Sequence, residues 1–139
     1  MKQWILLLTR IAPRLEKEVG VIEKRIEKVA LSLYGETINQ YSEILTLTEQ
    51  KSRLINVKVL CGIIRDMLSE EERKLLFLLA KGESYAEIGK KTDVSTSCAF
   101  KRISKICERV GKVFTRAGWG EERLCREFSS LPIIRRISA

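Results

Sequence analysis

The sequence predicts an all-α protein, an N-terminal helical hairpin followed by a domain of three to four helices. Only two of the 139 residues are proline and eight are glycine, too few for the many turns of a β-sandwich or barrel. Apolar residues recur every three or four positions over long stretches, which is the helical period. Hydrophobic residues make up 45% and charged residues 32% of the chain, as in proteins that fold around a core.

The first eleven residues form an apolar segment that is too short to cross a bilayer. Arg10 interrupts it, and no small-residue cleavage site follows before the charged stretch from Arg14, so a signal peptide is not predicted. No other run approaches the roughly 20 apolar residues of a membrane span. We therefore expect a cytoplasmic protein without a membrane partner, in which this segment packs under the hairpin.

Two long helical patterns occupy residues 14–67, which we predict to be an antiparallel hairpin. Gly35 is a natural end for the first helix, and the second extends from about Ile38 to Met67 with Lys51 as a polar interruption. The apolar seam of the first helix, with alternating spacings of four and three, is Leu15, Val19, Ile22, Ile26, Val29 and Leu33. The stripe of the second is Ile44, Leu47, Leu54, Val57, Cys61, Ile64 and Leu68. Self-association through these seams is the alternative.

Three further helix starts are marked by serine residues whose side chains can accept hydrogen bonds from exposed amides. A glutamate three positions after the first two predicts a capping box at each. The predicted N-caps are Ser69 (with Glu72), Ser84 (with Glu87) and Ser95. Gly82 ends the first of these helices, and residues 92–94 form a tight connection between the second and the third.

A short helix from Ser84 to about Lys91, a tight turn and a longer helix over about 95–113 are typical of a helix-turn-helix motif. The crossing of the two helices requires a small residue after Ile88, which Gly89 supplies, and the turn requires an inward apolar residue, which Val94 supplies. The longer helix turns an apolar stripe to the core: Ala99, Ile103, Ile106, Val110 and Val113.

Positive charge is concentrated on this part of the chain. The protein has 26 Lys and Arg against 18 Asp and Glu, a formal charge of +8. Eight basic and two acidic residues lie between Lys90 and Arg116. Because phosphate neutralisation releases counterions and adds affinity, such a surface attracts nucleic acid.

The sequence over about residues 66–115 resembles region 4 of the sigma-70 family. Its most specific parts are Ser84-Tyr85-Ala86-Glu87-Ile88 and Val94-Ser95, preceded by the capping box that starts at Ser69. The resemblance implies a helix-turn-helix that reads the −35 promoter element and contacts the RNA polymerase flap. The sequence departs from the usual alanine, threonine and valine of that family at Gly89, Cys98 and Ala99.

The first 67 residues lack the aromatic cluster with which a sigma-70 region 2 melts the −10 element. The layout instead resembles small phage- or mobile-element-encoded regulators with a helical N-terminal extension. We therefore predict a sequence-specific transcriptional regulator whose partner is double-stranded DNA, with RNA polymerase and a second copy of the chain as further candidates. The alternative is a protein-interaction module that docks on RNA polymerase or another regulator through its helical regions.

The predicted DNA contacts follow from angular position on the helices. Residues that can reach base edges in the major groove are Thr96, Ser97, Phe100, Lys101 and Ser104. Residues that can hold phosphates are Ser84, Tyr85, Lys90, Lys91, Arg102, Lys105 and Arg109. Packing against a neighbouring element is the alternative role for Phe100 and Tyr85.

The predicted divisions are 1–67 (helical region), 68–115 (helix-turn-helix domain) and 116–139 (basic tail). Within the tail, Glu121 to Phe128 can form one or two helical turns, and the end from Pro132 is expected to be mobile in isolation. The chain has no histidine, phosphate-binding loop or nucleophile elbow, so no catalytic constellation can be assembled and an enzyme is not predicted. Its four cysteines form no C-x-x-C pair. We therefore expect free thiols, no metal site and no cofactor.

Overall fold

The computed structural model describes residues 1–32 and 38–138, and within these ranges it contains helices and no strand. The helices are α1 (Lys2–Ile11), α2 (Leu15–Leu31), α3 (Ile38–Met67), α4 (Glu70–Ala80), α5 (Tyr85–Thr92), α6 (Thr96–Arg116), α7 (Glu121–Phe128) and α8 (Pro132–Ser138). The all-α class is confirmed. None of the described helices has the length and hydropathy that a membrane span requires.

The two long helices α2 and α3 pack along each other. Glu23 pairs with Lys51 at 3.2 Å, and Glu16 pairs with Lys58 at 3.7 Å. The earlier residue of α2 pairs with the later residue of α3, so the two helices run in opposite directions. The pair with Glu23 also explains how a lysine is accommodated in the apolar stripe of α3. Leu33 and the predicted helix end at Gly35 lie outside the described residues.

Helix α1 lies at the centre of the molecule rather than only beneath α2 and α3. It contacts α3, α4, α6 and α8, and a 3₁₀ turn over Ala12–Arg14 connects it to α2. Ile5, Leu8 and Ile11 are fully buried, whereas Trp4 is only partly buried. The buried cluster is continuous and includes residues from both sides of position 67.

The predicted helix starts of the second half are confirmed by their hydrogen bonds. Ser69 Oγ accepts from Glu72 N at 3.2 Å, and Ser69 N donates to Glu72 Oε1 at 3.0 Å, which is a complete capping box. Ser84 Oγ accepts from Glu87 N at 3.2 Å, but the return bond to the Glu87 carboxylate is absent from this described helix start. Only half of the second predicted box therefore forms.

The remaining caps follow the same logic. Ser95 Oγ accepts a hydrogen bond from Cys98 N at 3.1 Å at the start of α6. Gly82 has a φ of 98° after the last turn of α4, a left-handed conformation that costs glycine little. The predicted starts of α4, α5 and α6 and the predicted end of α4 are thus set by local chemistry, whereas α6 extends to Arg116, beyond its predicted end at about 113.

The predicted basic tail contains two short helices that pack on the rest of the chain. Helices α7 and α8 follow α6, and Leu124, Phe128, Ile133 and Ile134 are buried. These apolar residues alternate with basic ones in the sequence and pack on α1 and α3. Arg136 is held as well, since it donates to Glu18 at 2.8 Å.

Candidate nucleic-acid interface

The connection between α5 and α6 is three residues long and tightly closed. Val94 N donates to Gly89 O at 2.9 Å, and Asp93 adopts a left-handed conformation with a φ of 57°. Val94 is partly buried against the core, as predicted. A Cβ at position 89 would lie 2.6 Å from Val94 O, so only glycine fits there. A small residue is needed at this position, as predicted, but the atoms that require it belong to the backbone of the turn, at Val94 and Ser95.

Helix α6 divides into a buried face and a polar face. The apolar stripe is buried at Ala99, Ile103, Ile106 and Val110 and partly buried at Val113. The predicted base-reading residues Thr96, Ser97 and Lys101 are exposed, and Ser104 is half-buried. Ser97, Lys101 and Ser104 follow one another at spacings of four and three, so they lie on the same face of α6, which we call the polar α6 face.

A groove of about 360 Å³ lies beside the polar α6 face. Ser97 and Lys101 line it together with Lys105, a predicted phosphate contact. Lys90, Lys101 and Lys105 are exposed and form no ion pair within residues 1–32 and 38–138. Their ammonium groups are available to an external anion.

The other predicted phosphate-binding cations are held by the chain's own acids. Arg102 donates to Glu71 at 3.3 Å and Arg109 donates to Glu72 at 2.9 Å, both on α4. Lys91 likewise donates to the carboxylate of Glu83. All three cations are exposed, but only the Arg102–Glu71 pair is exposed at both ends, so this pair contributes little and can exchange for phosphate. Glu72 and Glu83 are only 27% and 15% exposed, so Arg109 and Lys91 are held by partly buried carboxylates.

Glu72 has two roles, since it caps α4 and binds α6. The backbone N–H of Ser69 is the largest influence on the pKa of the Glu72 carboxyl and lowers it. Burial opposes this effect, the guanidinium of Arg109 lowers the pKa further, and the net pKa lies below its ordinary value. Glu71 and Glu72 in the first turn of α4 thereby link α4 to α6 through two ion pairs.

Sequence reasoning missed one residue at this surface, Lys2 of α1. Its Nζ donates to Tyr85 Oη at 2.6 Å and lies 5.7 Å from the ring centroid of Phe100. The two rings meet edge to face with centroids 5.1 Å apart, while Phe100 stays 50% exposed. Both aromatic residues therefore pack on a neighbouring element, which was the alternative role predicted for them. No local signal connects positions 83 residues apart.

The predicted phosphate contact Ser84 serves as the cap of α5, because its hydroxyl accepts from Glu87 N. Ser84 is exposed, and among the described hydrogen bonds its hydroxyl donates to no protein acceptor. The residue can therefore keep its capping bond and still donate to an anion.

The four cysteines are free thiols. Cys61 Sγ donates to Leu8 O at 3.4 Å, and burial raises the pKa of this thiol to about 12. Burial also raises the pKa of Cys107, opposed by the nearby charges of Lys2 and the N-terminus. Within the part of the chain that the structure describes, no three cysteine or acidic side chains come together as metal ligands would.

Comparison with protein-family models, with curated proteins and with solved structures returned no match for this chain. The resemblance to sigma-70 region 4 therefore rests on the residues of the motif alone.

Proposed function

We propose that the protein is a DNA-binding transcriptional regulator that inserts α6 into the major groove of double-stranded DNA. The observation that carries the proposal is the polar α6 face, presented outward beside a turn whose close approach demands Gly89. The major groove admits one α-helix, and small hydroxyls and a long cation on its outer face suit base edges.

The charges around α6 support two kinds of DNA contact, one to base edges and one to phosphates. Lys101 is the one cation on the polar α6 face and is placed to reach a guanine edge. Lys90 and Lys105 flank that face and would hold phosphates, which sets the register of the helix without reading sequence. Arg102 would add a phosphate contact by exchanging its exposed bond to Glu71 of α4.

Binding selection from a pool of random duplexes, followed by fluorescence anisotropy at two salt concentrations, tests this proposal. We expect enrichment of a short motif and a steep fall in affinity with salt, because each phosphate contact releases counterions. Equally weak binding to every duplex, with no enriched motif, would contradict it.

A second candidate function, docking on RNA polymerase or another regulator, is favoured by a separate feature. A groove of about 980 Å³ lies between α1, α3 and α4. Leu8, Ile64 and Phe77 line it, and Phe77 is 42% exposed with Lys81 Nζ 5.4 Å from its ring centroid. Retention of RNA polymerase on the immobilised protein without DNA, abolished by Phe77→Ser but not by Lys101→Ala, would support this role.

A further inference from the structure

Helix α3 has a second stripe, on the side that faces away from the core. Its members are spaced alternately four and three positions apart, the spacing of a seam between two helices. We call it the outer α3 stripe, and it consists of Tyr41, Leu45, Thr48, Ser52, Ile55 and Val59. All six residues are exposed, and Leu45 is 70% and Val59 58% exposed.

The outer α3 stripe is separate from the face of α3 that packs in the core. Leu47, Leu54, Val57 and Leu60 bury the opposite side of the same helix against the rest of the chain. The seams that the sequence offered for self-association lie within the chain's own apolar cluster, since α2 packs on α3 and Cys61 of the α3 stripe contacts α1. Tyr41, Leu45, Ile55 and Val59 expose their side chains within a segment of 19 residues, and an exposed apolar patch of this kind is typical of a surface that binds another surface.

The arrangement of this stripe identifies its partner. It is symmetric about residue 50, with large apolar residues at both ends and small hydroxyl residues in the middle. In an antiparallel pair of α3 helices centred there, Tyr41 meets Val59 of the second copy and Leu45 meets Ile55 of the second copy. Thr48 then meets Ser52 of the second copy. A two-fold interface requires such self-complementarity.

From this symmetry we infer that the outer α3 stripe binds a second copy of the chain in an antiparallel, two-fold dimer. The inference concerns α3 alone and does not depend on DNA binding.

The charges beside the centre of the stripe permit this approach. Glu49 and Lys51 flank it, and in an antiparallel pair each would face its own equivalent. Glu49 accepts from Arg53 at 2.6 Å and Lys51 pairs with Glu23 at 3.2 Å, so both charges are neutralised within one copy. Repulsion between the like charges is thereby reduced.

The available area fits a dimer that depends on concentration. The six exposed side chains offer on the order of 500 Å² per copy, and the resulting total of about 1000 Å² is the lower bound of a specific interface. The stripe is about 27 Å long at the rise of an α-helix. We therefore expect reversible association.

Sedimentation equilibrium over a concentration series tests the dimer, and two double variants test its register. In an antiparallel pair, Leu45→Glu/Ile55→Glu places glutamates opposite each other, so we expect dimer affinity to fall at least tenfold. Leu45→Glu/Ile55→Lys instead places glutamate opposite lysine in both layers, so we expect affinity at least tenfold above that of the first variant. Both pairs of positions are exposed, and circular dichroism checks that each variant is folded.

Three outcomes would overturn the inference. A wild-type chain that is monomeric at every soluble concentration excludes the dimer. A dimer that survives Leu45→Glu/Ile55→Glu uses another surface. Equal loss of association in both variants excludes the antiparallel register, because a parallel pair would place like charges together in each. Thr46→Glu, at an exposed α3 position outside the stripe, is the control and is expected to leave association unchanged.

Discussion

Gly89 and Val94 approach so closely that a Cβ on the glycine would lie 2.6 Å from the carbonyl oxygen of the valine. The obstructing atom belongs to the backbone of the turn, so a side chain at position 89 forces α5 and α6 apart. The contact between Gly89 and Val94 therefore also fixes the position of α6 relative to α5.

Gly89→Ala is expected to destabilise the protein by about 1–3 kcal/mol, the range of overpacking substitutions. This change in the free energy of unfolding is opposite in sign to the usual effect of the substitution in a helix, where alanine is favoured over glycine by about 1 kcal/mol. Gly20→Ala in α2 is the matched control, because nothing lies within 4 Å of its Cβ position, and it is expected to stabilise. Urea denaturation followed by circular dichroism measures both, and equal effects would contradict the steric argument.

Lys101→Ala is expected to weaken binding to the selected duplex by about 1–3 kcal/mol and to relax base preference at one position. The reason is that Lys101 lies on the polar α6 face and is free of ion pairs among the described residues. Anisotropy titrations against single-base variants of the duplex measure the effect. Lys24→Ala removes an equal charge from exposed α2 and should leave base preference intact; a matching loss in both variants would point to bulk charge alone.

Glu72→Gln is expected to destabilise the protein at neutral pH by an amount that shrinks in acid. The folded state lowers the pKa of Glu72, so its stabilisation is present above the ordinary carboxyl pKa and is lost as the pH falls through the lower, folded value. Urea denaturation at neutral and strongly acidic pH tests this. Glu27→Gln, at an exposed α2 position, serves as control, and a pH-independent difference for Glu72→Gln would refute the linkage.

Native Cys61 is expected to resist thiol reagents. With a pKa of about 12, roughly one thiol in ten thousand is ionised near pH 8, and the thiolate is the reactive form. Cys125 is exposed and should react first in a stopped-flow assay with a chromogenic disulfide. Cys125→Ser should remove the fast phase and Cys61→Ser should retain it; the reverse pattern would contradict the burial of Cys61.

Ile134→Ala in α8 is expected to cost about 2–5 kcal/mol, as for other buried aliphatic residues. Ile134 is 3% exposed, so truncation leaves a cavity under α1. Arg135→Ala, at the exposed neighbouring position, should change stability by no more than about 0.5 kcal/mol. Thermal unfolding compares the two, and an Ile134→Ala variant as stable as the wild type would show that the tail does not belong to the core.

The short helices were predictable because their ends depend on neighbouring residues. A serine accepts from an amide three positions ahead at Ser69, Ser84 and Ser95, and Gly82 takes the left-handed conformation that ends α4. The outward polar face of α6 was predictable for the same reason, since a helical period assigns each residue to a face.

The C-terminal segment was harder to predict because charged and apolar residues alternate within a few positions there. Arg135 and Arg136 suggested a solvated tail, yet Ile133 and Ile134 on the same turn are buried. A helix of seven residues has too few turns to show a period, so only its neighbours decide whether it folds.

The sequence by itself determined where α4, α5 and α6 begin, where α4 ends, that position 89 must be small, and which residues of α6 face outward. Only the tertiary structure decided that Lys2 reaches Tyr85, and that Glu71 and Glu72 hold two arginines of α6 while Lys101 stays free. Caps and helical faces arise from residues a few positions apart. The Lys2–Tyr85 hydrogen bond and the two ion pairs between α4 and α6 join residues separated by 31 to 83 positions, so they exist only once the helices have packed.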